Sequence, residues 1–282
     1  MTRFLKKLSI TLPTGAPIPV FGFGTYKVTS GVYETVSSAL ALGYRHIDTA
    51  QMYGNEAEVG RAIADSGVPR EELFITSKLD NGNHEPAAAR ASFDKTLADL
   101  RTDYVDLFLI HWPLPTLYDG DVALPWPVLE EFHAQGRARA IGLSNYTIEH
   151  IERVLDAAEV APHVLQVEAH PFFPNNEVRD FARAHGMTTQ AWSPLARGRA
   201  AKDPALARIA ASIGRTGPQV ALRWALDRGD IVFPKSVTPA RQAENLDVFS
   251  FTLADSLRAR IDALDEGEAG RTGSHPDTMN RL

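Results

Sequence analysis

Residues 44–54 read Y-R-H-I-D-T-A-Q-M-Y-G, and the rest of the chain is organised around this stretch. Its first half predicts a short buried strand that ends on the carboxylate of Asp48, and Tyr53 follows five residues later in a loop. An apolar residue would pack better at the end of a buried strand, so a carboxylate there points to function. The same pattern, a buried strand that ends on a polar residue, occurs twice more, in L-F-I-T-S-K ending on Lys78 and in V-D-L-F-L-I-H ending on His111. We therefore expect four charged or proton-handling groups to meet at one end of these strands.

Eight short apolar runs alternate with helical patterns along the chain. Continuous apolar runs, each followed by a helix, indicate a parallel sheet that is covered on both faces. Eight such units in about 250 residues predict a closed (β/α)8 barrel, the TIM barrel of the α/β class, as a single domain over residues 1–282. The alternative is an open doubly wound sheet, but that fold usually carries a G-x-G-x-x-G fingerprint, and here Lys27 stands in the third glycine position. The expected strands are 21–25, 44–47, 73–77, 104–110, 138–142, 163–167, 187–191 and 231–233, and the expected helices are 30–42, 55–67, 86–100, 126–135, 147–158, 175–185, 203–213 and 217–228.

Both ends of the chain add to this barrel. Residues 7–12, K-L-S-I-T-L, and the I-P-V that follows predict an N-terminal β-hairpin turning at residues 13–15. Near the C-terminus one more helix is expected, capped by Thr252 or Asp255. The glycine-rich, polar residues 267–282 are either frayed or form a loop over the barrel mouth. We expect the loop over the mouth.

Composition excludes whole classes of function. The 282 residues carry a net charge of -6, which argues against nucleic-acid binding. With no cysteine, disulfides, thiolate catalysis and zinc–sulfur sites are excluded. No apolar run approaches the roughly 20 residues that span a bilayer, and the basic first residues lack the apolar core of a signal peptide. We expect a cytoplasmic monomer that binds neither membrane nor nucleic acid.

The set of strand-end residues suits one kind of chemistry. A tyrosine hydroxyl, with a pKa of about 10, is a poor acid at neutral pH unless a cation favours the phenolate. An ammonium about 4 Å away supplies on the order of 4 kcal/mol at an effective dielectric of 20, so Lys78 is expected to lower the pKa of Tyr53. Asp48 would hold Lys78 in place, and His111 would donate a hydrogen bond to a carbonyl oxygen. The set predicts proton delivery to an oxygen, as in carbonyl reduction by a hydride-donating cofactor.

Two other chemistries remain open from the residues alone. A metal-dependent barrel hydrolase would use His46, Asp48, His111 and His170 as ligands. A Schiff-base aldolase would use Lys78 as its nucleophile. Neither gives a role to the basic segment 235–241.

Three stretches resemble one family, the aldo-keto reductases. They are G-Y-R-H-I-D-T-A-Q-M-Y-G-N-E at 43–56, V-D-L-F-L-I-H-W-P at 105–113 and F-P-K-S-V-T-P-A-R-Q-A-E-N at 233–245. Within the family, A-W-S-P, F-P-K-S-V and the ending G-S-H-P-D resemble the bacterial diketo-gluconate reductase branch. The resemblance implies reduction of small carbonyl, dicarbonyl or keto-sugar substrates with NADPH, and no metal. A regulatory protein that binds NADPH with little turnover is the alternative within the same fold.

The resemblance also implies roles for individual residues. Tyr53 would be the general acid of a catalytic tetrad, the nicotinamide would stack on Trp192, and its amide would bind Ser144, Asn145 and Gln166. The catalytic residues are then Asp48, Tyr53, Lys78 and His111; the NADPH-binding residues are Thr25, Ser144, Asn145, Gln166, Trp192, Ser193, Pro194, Leu195, Lys235, Ser236, Val237, Thr238, Arg241, Glu244 and Asn245; and the substrate-lining residues are Tyr26, Tyr53, His111 and Trp112.

Two further expectations follow from particular positions. Lys235 and Arg241 flank hydroxyl groups at the start of a helix that Pro239 begins, an arrangement suited to the 2′-phosphate of NADPH. The branch usually has tryptophan after Lys-Leu, and Asp80 stands there in this chain. If Asp80 faces the pocket, its charge would disfavour anionic sugar acids.

Overall fold

Eight parallel strands form the centre of the fold in the computed structural model, which describes residues 8–282. Lys7, the first residue of the expected hairpin, lies outside the described residues. Each strand pairs in parallel with the next strand along the chain, as the predicted βα repeat requires. The strands are β3 (Phe23–Gly24), β4 (His46–Asp48), β5 (Phe74–Leu79), β6 (Leu107–Ile110), β7 (Ile141–Ser144), β8 (Val164–Glu168), β9 (Thr188–Trp192) and β10 (Ile231–Val232).

The sheet closes on itself between its first and last strands. Gly22 N donates to Val232 O at 2.8 Å, and Val232 N donates to Val20 O at 3.0 Å. At this seam a Cβ on Gly24 would lie 2.7 Å from Phe233 O, closer than side chains are found to pack. The glycines of F-G-F-G therefore serve close backbone approach rather than dinucleotide binding, and the predicted (β/α)8 barrel is confirmed.

The helices surround the barrel close to their predicted positions. Proline at the first turn and left-handed residues at the ends fix several boundaries; α3, for example, begins at Pro86 and is closed by Arg101 with φ 53°. The helices of residues 8–282 are α1 (Val32–Leu42), α2 (Glu56–Asp65), α3 (Pro86–Leu100), α4 (Trp126–Ala134), α5 (Ile148–Ala157), α6 (Asn176–Ala184), α7 (Pro204–Ala211), α8 (Gly217–Asp227), α9 (Pro239–Leu246) and α10 (Asp255–Asp262).

The expected cap of α10 is wrong. Ala254 occupies the N-cap position, where no side chain accepts a hydrogen bond from the first turn. Asp255 is already the first helical residue, and its carboxylate pairs with Arg258 one turn later. Thr252 lies too early in the chain to cap this helix.

The N-terminal hairpin covers one end of the barrel. Strands β1 (Ser9–Thr11) and β2 (Pro17–Pro19) pair antiparallel. Leu12 and Ile18 are buried against residues from the starts of the barrel strands, including Phe74 and Leu107. The hairpin thus closes the N-terminal end and leaves the opposite end for chemistry.

The C-terminal residues 267–282 lie across that opposite end. Glu168, the last residue of β8, accepts hydrogen bonds from the backbone N–H groups of Thr272 and Gly273, each at 2.8 Å. Farther along, Met279 packs against Trp112. The expected loop over the barrel mouth is confirmed, and the frayed alternative is wrong. Among residues 8–282, no helix combines the length and apolar character that crossing a membrane requires.

Candidate active site

The four expected catalytic side chains meet at the C-terminal ends of neighbouring strands. Asp48 ends β4, Lys78 lies one residue before the end of β5, and His111 follows β6 directly. Tyr53 is the last residue of a single 3-10 turn after β4. Because parallel strands end at the same side of the barrel, residues far apart in sequence converge here.

The ammonium of Lys78 is the centre of the cluster. Its Nζ lies 2.7 Å from Asp48 Oδ1, 2.8 Å from Thr49 O and 3.4 Å from Tyr53 Oη. The lysine is fully buried, and burial lowers its pKa, while the charge and hydrogen bond of Asp48 act in the opposite direction. The three contacts fix one cation beside one phenol.

The expected direction of the Tyr53 pKa is wrong. Burial raises the pKa of this phenol well above its ordinary value of 10, and the carboxylate of Asp48 and the neighbouring Tyr26 raise it further. Desolvation penalises the phenolate in a low-dielectric site, and Asp48 offsets the charge of Lys78. In the protein alone, Tyr53 is therefore a fully protonated donor rather than an activated acid.

His111 is a buried, neutral imidazole. Burial lowers its pKa well below the usual range, and the charges of Lys78 and His84 lower it further. Its ring makes an edge-on contact with Tyr53, with the ring centroids 5.7 Å apart, and its Nδ1 has no hydrogen-bond partner in the described chain. A neutral imidazole can donate one N–H to a substrate oxygen.

Two glutamines support the cluster from inside the barrel. Gln166 Nε2 donates to Asp48 Oδ2 at 2.9 Å and to Gln190 Oε1 at 2.8 Å. This leaves Gln166 Oε1 as an acceptor for an amide. Sequence reasoning missed Gln190 because it is the middle residue of β9, T-T-Q-A-W, and so neither ends a strand nor interrupts an apolar run.

Asn145 connects the catalytic and the expected cofactor residues. It adopts a left-handed backbone conformation, φ 66°. Its Nδ2 donates to His111 O at 2.9 Å and to Ser144 Oγ at 3.1 Å, while its Oδ1 accepts from Trp192 Nε1 at 2.7 Å. Asn145 therefore holds the His111 backbone and the Trp192 indole together, and both ends of its amide are engaged.

Thr25 and Tyr26 directly follow β3, and one is buried while the other is exposed. Thr25 is fully buried, and its hydroxyl donates to Thr49 Oγ1 at 2.9 Å, which ties the end of β3 to the residues after β4. Tyr26 is 46% exposed and packs against the ring of Tyr53 at 5.1 Å. Tyr26 thus lies exposed beside the phenol, and its substrate-lining role stays a prediction.

The expected phosphate-binding residues lie at the start of α9. Lys235 and Arg241 are exposed, and in the described chain neither forms an ion pair. Thr238 is the N-cap residue, but its side chain does not cap the helix, and its own N–H is bonded by Ser236 Oγ at 3.1 Å. A phosphate would be favoured here, because the start of the helix has no side-chain cap and the two cations have no ion-pair partner in the described chain.

The remaining expected cofactor residues lie directly after β9, just before α9 or within α9. Glu244 accepts a hydrogen bond from Thr216 Oγ1 at 2.7 Å. Ser193 follows β9 in a left-handed conformation, φ 48°. Of the others, Pro194 and Asn245 are buried, Leu195 is half-buried, and Val237 is exposed.

Asp80 serves a local turn. It is half-buried, and its Oδ1 accepts from Asn81 N at 2.7 Å, which caps the 3-10 turn Asn81–Asn83. Trp112 lies in a small apolar cluster with Leu114 and Met279 of the tail. The tail therefore packs against Trp112, one of the residues expected to line the substrate.

Two histidines required by the metal alternative have other partners. His46 is buried inside the barrel, and its ring nitrogens lie 3.2 Å from Pro19 O and 3.1 Å from Thr76 Oγ1. His170 Nε2 lies 3.1 Å from Glu168 Oε1. Within residues 8–282, no group of three His, Asp or Glu side chains is arranged to hold a metal ion.

Comparison with known proteins identifies the family of the chain. The model of the Aldo/keto reductase family matches residues 20–266. The chain is 42% identical to glyoxal reductase of Bacillus subtilis, over 97% of this chain and 98% of that protein, and 43% identical to an aldo-keto reductase of Mycolicibacterium smegmatis, over 96% and 98%. Among solved structures, a point mutant of Gox0644 in complex with NADPH superposes with a TM-score of 0.91 at 38% identity, covering 97% of this chain and 98% of that one. The chain belongs to the aldo/keto reductase family and is an oxidoreductase.

Proposed function

We propose that this protein reduces small aldehydes, ketones and dicarbonyls to alcohols with NADPH, and that Tyr53 supplies the proton. The observation that carries the proposal is the buried Lys78–Asp48 ion pair 3.4 Å from the Tyr53 hydroxyl, beside the neutral imidazole of His111. Family membership and the NADPH complex of the similar Gox0644 mutant support the cofactor.

Each side chain of the cluster has one task in this reaction. NADPH, when bound, supplies a hydride to the carbonyl carbon. The neutral imidazole of His111 donates a hydrogen bond to the carbonyl oxygen and orients it. As negative charge develops on that oxygen, the Tyr53 phenol transfers its proton to it. Lys78 then stabilises the phenolate, and Asp48 keeps Lys78 charged and in place.

The raised pKa of Tyr53 is compatible with this role. A phenol with a raised pKa carries its proton at every working pH, so the donor is always loaded. The acceptor is a developing alkoxide, which is far more basic than a phenolate. The driving force therefore comes from the substrate oxygen, and the buried cation limits the penalty of leaving a phenolate behind.

The cofactor is proposed to lie along the C-terminal ends of β7 to β10. Trp192 would stack on the nicotinamide, with Ser144 and the free Gln166 Oε1 at its amide. Asn145 would act by holding Trp192 and the His111 backbone in register. Lys235, with Arg241 and the start of α9, would bind the 2′-phosphate.

A coupled assay of turnover and binding tests the proposal. Glyoxal, methylglyoxal and simple aldehydes are offered with NADPH and with NADH, and oxidation of the cofactor is followed by its absorbance. We expect turnover of at least the small dicarbonyls, with NADPH preferred. Tight NADPH binding without turnover of any carbonyl would instead support the regulatory alternative, and loss of turnover with a chelator would support a metal.

A further inference from the structure

Gly273 of the C-terminal tail lies against the indole of Trp192. A Cβ atom at position 273 would be 2.3 Å from Cη2 of that indole and 3.2 Å from the adjacent Cζ2. The first distance is far shorter than packed carbon atoms adopt, so position 273 has no room for a side chain while the tail is closed. The backbone of Gly273 is not left-handed, unlike that of Gly267 with φ 56°. The contact with Trp192, and not the backbone conformation, therefore requires a glycine here.

The tail meets the edge of the indole rather than one of its faces. No other atom of the ring would be nearer to the Cβ than Cη2 and Cζ2. An atom above the face of the ring would lie at similar distances from several bonded carbons, whereas here the distance rises steeply from Cη2 to its neighbour. Gly273 therefore supports Trp192 from the side, near the plane of the ring, and does not cover the face on which a nicotinamide would stack.

Both partners of this contact are held by hydrogen bonds. Trp192 Nε1 donates to Asn145 Oδ1 at 2.7 Å, which fixes the indole at a second point of the ring. Gly273 N donates to Glu168 Oε2 at 2.8 Å, and Glu168 is the register partner of Trp192 at the ends of β8 and β9. A displaced indole would stretch its bond to Asn145, and a displaced tail would stretch its bonds to Glu168. The position of the indole and the closure of the tail are therefore not independent.

We propose that Gly273 is a positioning residue that fixes the stacking angle of Trp192 and thereby couples closure of the tail to NADPH binding. This inference rests on the proposed function, since it takes the indole as the surface on which the nicotinamide stacks. Two events that favour the same position of one side chain favour each other. NADPH then stabilises the closed tail by the same factor by which the closed tail strengthens NADPH binding. The tail closes preferentially on a site that already holds its cofactor.

A double-mutant cycle on NADPH affinity tests the contact. Gly273→Ala should weaken NADPH about tenfold in a fluorescence titration, because the added methyl group displaces the indole or the tail. Trp192→Phe keeps an aromatic face but lacks the ring carbons that face Gly273, so in this background Gly273→Ala should leave the NADPH dissociation constant unchanged. Gly82→Ala is the matched control: it adds the same methyl group to an exposed glycine with open space around it, and NADPH should bind as in wild type. Equal weakening by Gly273→Ala in both backgrounds, or none in either, would overturn the proposal.

Amide hydrogen exchange measures the coupling from the side of the tail and separates it from the proposed function. NADP⁺ should slow exchange of the Thr272 and Gly273 amides in wild type and not in Trp192→Phe. In the cofactor-free protein, Trp192→Phe should accelerate this exchange, because the closed tail loses its contact with the indole. If wild type binds no NADPH, the proposed function fails, while the cofactor-free comparison still decides whether the indole holds the tail. Equal exchange in cofactor-free wild type and Trp192→Phe, or equal slowing by NADP⁺ in both, would show that the tail and the indole are not coupled.

Discussion

The tail across the barrel mouth depends on one carboxylate, and Glu168→Gln should release it. Glu168 accepts the N–H groups of Thr272 and Gly273, the Thr272 hydroxyl and a hydrogen bond from His170. An amide offers one acceptor oxygen instead of two and carries no charge. One hydrogen bond is thus lost and the others weaken from charge-assisted to neutral, which together lowers the stability of the closed tail by about 2–4 kcal/mol. A tenfold change in an equilibrium constant corresponds to about 1.4 kcal/mol, so the population with an open tail rises roughly 30-fold or more.

Amide hydrogen exchange and steady-state kinetics report this release. Exchange in residues 267–282 should accelerate by a similar factor, and KM for carbonyl substrates should rise because Met279 leaves the wall beside Trp112. Glu268→Gln is the matched control: this exposed carboxylate only pairs with Arg271 on the surface, a contact worth less than about 1 kcal/mol. Equal exchange and equal KM values in wild type and Glu168→Gln would refute the anchoring role.

The attachment of the tail to Glu168 should depend on pH. Burial alone would raise the pKa of Glu168, but hydrogen bonds from His170, Thr272 and Gly273 outweigh it and hold the pKa below its ordinary value of 4.5. A lowered carboxyl pKa contributes stability that is present above the unfolded pKa and is lost as pH falls through the folded one. The wild-type tail should therefore loosen only in acid.

Three further predictions concern the cofactor, the cation and the buried acid. Arg241→Ala should weaken NADPH about 10–100-fold and barely change NADH binding, as measured by fluorescence titration, because only NADPH carries the 2′-phosphate; equal weakening of both would exclude the assignment. Lys78→Met should slow single-turnover hydride transfer more than Asp48→Asn does, since it removes the cation that stabilises the Tyr53 phenolate, and the reverse order would contradict that role. Burial raises the pKa of Glu56 from 4.5 to about 7. Glu56 therefore loses its proton at a lower pH in the unfolded chain than in the folded protein, and wild-type stability falls as the pH rises between these two values. The free energy of unfolding, measured with urea at about pH 5 and pH 8, should fall by up to about 3 kcal/mol less in Glu56→Gln than in wild type. An equal fall in both proteins would show that Glu56 does not hold a proton in the folded state.

The sequence was most informative where a signal is local. Asp48, Lys78 and His111 could be found because each polar residue interrupts an apolar run at a strand end, and parallel strands bring such ends together. The barrel followed from the same alternation of strands and helices. The F-G-F-G stretch was correctly assigned to close backbone approach, although its partner, Phe233, is distant in sequence.

Properties that depend on tertiary surroundings could not be predicted in this way. The pKa of Tyr53 depends on desolvation and on the charge of the nearby Asp48, and neither effect is visible in a motif. Asn145 has both ends of its amide engaged, and this follows only from the positions of Trp192 and the His111 backbone. Glu168 and the tail lie more than a hundred residues apart, so their pairing has no local signature.

The most direct test of the whole account is single-turnover hydride transfer in Tyr53→Phe. The phenyl ring keeps the packing against Tyr26 and His111 and removes only the proton donor. General acid catalysis commonly contributes about 10²–10⁴-fold, so the rate of NADPH oxidation in the preformed ternary complex should fall by that factor. NADPH affinity should remain at the wild-type value. A mutant rate within a few-fold of wild type would show that the proton comes from elsewhere and that the role assigned to Tyr53 is wrong.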